Sequence, residues 1–203
     1  MMKRSIVPVI LTLAAFGVGI AIGVSRQTPV AIELAAGTLL TPPRDLAPFS
    51  LRSLADSNVD NSDLRDRWTL LFFGFTRCPD ICPTTLQLLA DARDTLDVPD
   101  AQLPRIMLAS VDPARDDAQT LATYVNYFGE QMIGVTGDDD AIARFATDLG
   151  IVYQRIDLGA DGDYTMDHSG AVLLIDPNAQ LRAVFSPPLS RRAIAADLAQ
   201  LIR

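Results

Sequence analysis

The chemistry open to this 203-residue chain is concentrated in Cys78 and Cys82, its only cysteines, and His168, its only histidine. Three residues separate the cysteines, and Pro83 follows the second. Proline is at home in the first turn of a helix, where its missing N–H is not needed, so the sequence predicts a helix that starts close to Cys82. Cys82 then stands in that first turn and Cys78 in the loop before it. Unpaired N–H groups and the positive end of the helix dipole stabilise a thiolate there, which favours nucleophilic attack and metal ligation alike. In helix-like geometry the same offset sets the two Cα atoms about 6 Å apart, within reach of a disulfide. Spacing alone leaves thiol exchange, metal binding and a structural bridge open.

The elements around these residues supply a frame. Residues 70–73, Leu-Leu-Phe-Phe, are an unbroken apolar run ending at Gly74, the pattern of a buried strand that delivers the chain to the cysteines. Residues 105–111 and 132–136 read as further strands, and residues 151–156 as another. Residues 116–128 carry Leu121, Tyr124, Val125 and Phe128 at helical spacing, and residues 138–149 form a helix opened by three aspartates. Residues 171–175 and 181–185 flank the turn Asp176-Pro177-Asn178 as a hairpin, and a helix over residues 190–202 closes the chain. This alternation predicts a three-layer α/β domain around a mixed sheet. Ligands gather at the carboxyl ends of parallel strands in such sheets. Cys78 and Asp112 each lie just past a strand. Asp167 and His168 lie just before another, and they reach the same edge if that strand runs antiparallel. Two thiols and one imidazole then converge.

Lys3 and Arg4 precede an uncharged apolar run, residues 5–25, which is closed by Arg26. About 20 such residues suffice to span a bilayer, more than the apolar core of a secretory signal usually holds. Residues 1–26 are therefore expected to be an uncleaved single-pass anchor. The early positive charges keep the N-terminus in the cytoplasm, which exports the rest across a bacterial inner membrane into the periplasm. Residues 27–48, interrupted by Pro29, Pro42, Pro43 and Pro48, read as a linker, and residues 49–203 as one domain. A formal net charge of −8 with no Lys/Arg cluster beyond Arg191-Arg192 argues against nucleic acid as a partner.

Four stretches resemble the Sco/SenC family of copper-binding assembly proteins, which have a thioredoxin-like fold. They are Gly74-Phe-Thr-Arg-Cys78-Pro-Asp-Ile-Cys82-Pro83, Val111-Asp112-Pro-Ala-Arg115-Asp116, Val135-Thr-Gly137 and Tyr164-Thr-Met-Asp167-His168-Ser169, in the family's order. The resemblance implies copper, as Cu(I) or Cu(II), bound by Cys78, Cys82 and His168. It also implies Asp112 and Asp167 as neighbouring acids that matter for the site or for docking. The implied recipient is the dinuclear copper centre of cytochrome c oxidase subunit II, and a periplasmic copper donor or thiol reductant is a further expected partner. The ligand chemistry agrees. Soft thiolates select Cu(I), an imidazole suits both copper states, and structural zinc normally takes a fourth ligand.

A second reading keeps the fold and drops the metal: an exported thiol–disulfide oxidoreductase with Cys78 and Cys82 as its redox pair. Against it, thioredoxins place two residues between their cysteines and a proline where the resemblance puts His168. A purely structural bridge would close too short a loop to constrain the unfolded chain much. Asp112 before Pro113 also fits an ordinary turn, and Asp80 a helix cap.

Overall fold

The computed structural model describes residues 32–54, 57–159 and 162–202. The chain divides into Met1–Glu33 and Leu34–Arg203, and the fold is that of the second unit. The expected membrane anchor lies outside the described residues. Among the described residues no helix is long and apolar enough to cross a membrane.

Strands β1 (Gly37–Asp45), β2 (Ser50–Arg52), β3 (Asn58–Asp60) and β4 (Thr69–Gly74) lead into helix α1 (Ile81–Asp94). Then follow β5 (Arg105–Ser110), α2 (Ala118–Asn126), β6 (Met132–Val135), α3 (Asp139–Asp148), β7 (Tyr153–Asp157), β8 (Tyr164–His168), β9 (Val172–Ile175), β10 (Gln180–Phe185) and α4 (Arg191–Leu201). Six strands form one sheet in the order β1-β10-β9-β4-β5-β6. β4, β5 and β6 run parallel, whereas β9 runs antiparallel to β4 with Val172 opposite Phe72, so the start of β9 sits beside the end of β4. β2 with β3, and β7 with β8, make two small antiparallel hairpins outside that sheet.

β4 is central and all six of its residues are buried. Leu70, Leu71, Phe72 and Phe73 are fully excluded from solvent, and each such side chain stabilises the fold by up to about 1.5–3 kcal/mol through burial. Alternation along the strand sends Phe73 to one face, where its ring lies 5.4 Å from that of Phe145 in α3. Phe72 and Gly74 turn to the opposite face, against His168 and α1. Helices therefore cover both faces of a mixed sheet, as the sequence pattern predicted.

The domain begins earlier than the prolines suggested. Residues assigned to the linker form β1, the edge strand paired with β10, and its register shifts between Leu39 and Arg44, where Pro42 and Pro43 lie. An edge strand tolerates proline because one side of its backbone needs no partner. Asp197 of α4, fully buried, accepts hydrogen bonds from the backbone N–H groups of Ala35, Ala36 and Gly37 and fixes where the chain enters the sheet.

Candidate metal centre

α1 opens as the sequence indicated, with Ile81, Cys82 and Pro83 in its first turn and Asp80 at the capping position. Asp80 makes no side-chain capping bond; its carboxylate instead accepts from the Thr84 hydroxyl at 3.4 Å. The helix directs the Cys82 N–H to the Cys78 sulfur, 3.4 Å away. The loop before Cys78 is fixed by Asp116, a fully buried carboxylate that accepts from the Thr76 N–H and hydroxyl and from the Ser110 hydroxyl. Gly74 leaves the room the second sulfur needs, for a Cβ there would lie 2.9 Å from Cys82 Sγ.

His168 arrives from the other side, at the end of β8. Its ring presents edges to Phe72 and Phe75 at centroid distances of 5.7 and 6.0 Å. Nδ1 lies 3.1 Å from the Ser169 carbonyl. A carbonyl can only accept, so Nδ1 carries a proton, and Nε2 points inward, 3.4 Å from Cys82 Sγ. Fixing the outer nitrogen in this way orients an imidazole for ligation.

The two sulfurs and the imidazole nitrogen lie within 4.8 Å of one another. With metal–sulfur and metal–nitrogen bonds of about 2.3 and 2.0 Å, three ligands disposed trigonally stand about 3.7–4.0 Å apart, so the cluster fits one small ion with slight adjustment. Both cysteines are free thiols and both are buried. Burial, followed by hydrogen bonding with Cys78, pushes the Cys82 thiol far above the ordinary range. This corrects one expectation from the sequence: desolvation outweighs the helix dipole at Cys82. Cys82 therefore keeps its proton in the metal-free site, and a metal ion held there would displace it.

The remaining predicted residues are placed apart from the cluster. Asp112 is buried and makes no hydrogen bond to Cys78, Cys82 or His168; it accepts from the Arg115 guanidinium and from the Tyr164 hydroxyl. Asp167 is exposed, on the face of β8 opposite His168. Gly74, Asp116, Arg115 and Tyr164 were not singled out by sequence reasoning as residues that shape the site. All four lie inside the stretches that carried the family resemblance, which is the one signal that covers them. A hollow of about 720 Å³ between Phe49 and α3 involves none of these residues.

Comparison with known proteins follows the same lines. The SCO1/SenC family model matches residues 40–203. This chain belongs to the SCO1/SenC family. A "putative copper-binding protein" of Stutzerimonas stutzeri is 35% identical over 176 residues, 82% of each chain. The mitochondrial SCO2 homolog of Mus musculus is 34% identical over 156 residues, 76% of this chain but 60% of its own length. The chain thus spans less than two thirds of that mitochondrial relative. The crystal structure of Arabidopsis thaliana ScoI with copper bound superposes with a TM-score of 0.72 at 32% identity, covering 78% of this chain and 98% of that one. The fold is accordingly the mixed α/β, thioredoxin-like fold of the family.

Proposed function

We propose that this protein is a copper-binding assembly factor that holds copper through Cys78, Cys82 and His168 and passes it to the dinuclear copper centre of cytochrome c oxidase subunit II. The observation that carries this reading is the convergence of two buried thiols and one oriented imidazole within 4.8 Å. Soft sulfur ligands select copper among the first-row ions, and a three-ligand site leaves a position for an incoming partner thiolate. The copper-bound ScoI structure and the copper-binding relative support the choice of metal. The recipient rests on the family resemblance. On this reading residues 1–26 anchor the protein in the bacterial inner membrane and the domain works in the periplasm.

The deciding experiment titrates the reduced full chain, purified in detergent, with Cu(I) against a competing chelator and with Cu(II) by absorption. One tight equivalent with a thiolate-to-copper charge-transfer band is expected. Cys78→Ser, Cys82→Ser and His168→Ala should each abolish tight binding without unfolding the domain. A His168→Ala protein with unchanged affinity and spectrum overturns the ligand set.

The closeness of the two free thiols also favours a second reading, reduction of a partner's disulfide. One thiolate attacks the partner disulfide to give a mixed disulfide. The second then resolves it, so that Cys78 and Cys82 end oxidised and the partner gains two electrons. Turnover with a disulfide substrate that requires both cysteines and tolerates His168→Ala supports this role.

A further inference from the structure

The hairpin β7–β8 that carries His168 is not hydrogen-bonded to the six-stranded sheet. Four of the five β7 residues, Gln154 to Asp157, are exposed, so the hairpin's apolar attachment rests on Tyr153 and Met166, which pack partly buried against the core. Among the described residues, its polar attachment to the rest of the domain is concentrated at Tyr164, at the far end of β8 from His168. The Tyr164 hydroxyl donates to buried Asp112 at 2.7 Å, and its backbone carbonyl accepts from Arg115 Nη1 at 2.9 Å. The Arg115 guanidinium stacks 3.6 Å from the Tyr164 ring centre and that of Arg155, on β7, stacks 3.8 Å from it. Two cations at those distances cannot share a face, so the ring is clasped between them. Arg115 is held in turn by Asp112.

The same short segment also holds the cysteine side. The Asp112 N–H donates to Ser110 Oγ, whose hydroxyl donates to Asp116, the carboxylate that grips Thr76 two residues before Cys78. Residues 110–116 therefore touch both ligand-bearing segments through one connected set of hydrogen bonds.

We propose that residues 110–116 are a bracket that sets the distance between the cysteine loop and the histidine hairpin, and that Arg115, clasping Tyr164 against Asp112, is the positioning residue on the histidine side. Tyr164, Met166 and His168 share one face of β8, and a five-residue strand spanning about 13 Å is stiff enough to carry a displacement at Tyr164 to the imidazole. Without the clasp the hairpin swings and His168 spends less time against Cys82.

The ligand role of His168 comes from the proposed function, so the test has one arm that needs no metal. In the metal-free full chain, Arg115→Met should speed hydrogen exchange of the β7–β8 amides at least tenfold and leave those of β4 and β5 unchanged. Cu(II) affinity should fall at least tenfold, and the charge-transfer band should move toward that of His168→Ala. Adding Arg115→Met to His168→Ala should cost nothing further, because a positioning residue acts only through the ligand it positions. Tyr164→Ala leaves the Asp112–Arg115 pair intact and should give the same signature if Arg115→Met does not fold; Tyr164→Phe, which keeps the stack, should stay closer to wild type. Unchanged hairpin exchange in both Arg115→Met and Tyr164→Ala overturns the proposal, as does an equal loss of affinity with and without His168. A wild-type chain that binds no copper overturns the proposed function instead, while the exchange arm still decides the bracket.

Discussion

Replacing Gly74 by alanine should damage the metal site through one methyl group. The new Cβ would lie 2.9 Å from Cys82 Sγ, 3.1 Å from Phe72 Cε1 and 3.2 Å from Leu108 Cδ1. An ordinary contact needs about 3.5–4 Å, so the sulfur must retreat by roughly 0.6–1 Å, and the neighbouring side chains are themselves fully buried and cannot give way freely. Gly74 lies in a regular strand, so the cost is steric, and overpacking a filled core costs about 1–3 kcal/mol. Ligand positions in a metal site tolerate about 0.2 Å. A displacement several times larger should lower copper affinity by at least tenfold, or about 1.4 kcal/mol. The assay pairs urea unfolding of the metal-free protein with Cu(I) competition against a chelator. Stability within about 0.5 kcal/mol of wild type together with unchanged affinity would refute the view that Gly74 is there to make room for the Cys82 sulfur.

Asp197→Ala strands three backbone N–H groups at the start of β1; urea unfolding should show a loss of roughly 2–4 kcal/mol, with copper affinity unchanged because the change lies away from the ligands. The raised Cys82 thiol gives a second expectation. Between the thiol pKa of the unfolded chain, about 8.5, and its higher folded value, the unfolded state has lost a proton that the folded state keeps. Stability of the metal-free protein therefore falls as pH rises, approaching about 1.4 kcal/mol per pH unit. From pH 9 to 10 this thiol dominates the slope, since Tyr124, raised by burial, contributes above it, and Arg105, lowered by burial to about 10, adds a smaller slope of opposite sign near its upper end. Cys82→Ser should flatten the slope, and a slope that survives the substitution assigns it elsewhere. Because a bound ion would displace at least the Cys82 proton, copper affinity should rise at least tenfold per pH unit through neutrality, and a pH-independent affinity measured between pH 6 and 8 would contradict it.

Periodicity made β4, β5, β6 and the four helices legible, because each has a face or a whole surface that only burial explains. Pro83 gave the start of α1, and the antiparallel return of β9 put His168 at the edge where β4 ends. What periodicity missed has physical reasons. β1 is an edge strand interrupted by Pro42 and Pro43, so its sequence carries loop signals while its pairing comes entirely from β10. β8 lies outside the main sheet and is only partly buried, which removes the apolar alternation that announces a strand. Asp116 looked like the start of a helix, yet it is a buried carboxylate whose partners are 6 and 40 residues away. Asp112 read as a turn residue for the same reason. Long-range polar contacts leave no local pattern, and they are what hold this site together.

The three proposed ligands are attached to the fold in unequal ways. Cys82 is fully buried at the start of a helix packed on the central strand, and Cys78 is tied to it through the helix N–H. His168 sits on a two-stranded hairpin fastened from outside. On the proposed ligand set this inequality matters for the two copper states. Cu(I) is satisfied by thiolates, whereas Cu(II) gains more from an imidazole. Loosening the hairpin should then weaken Cu(II) more than Cu(I), and it uncovers a copper ion still held by two sulfurs. On the proposed delivery role, a partner's thiolates would approach from the side the histidine leaves, so that copper would pass between sulfur ligands without release to water.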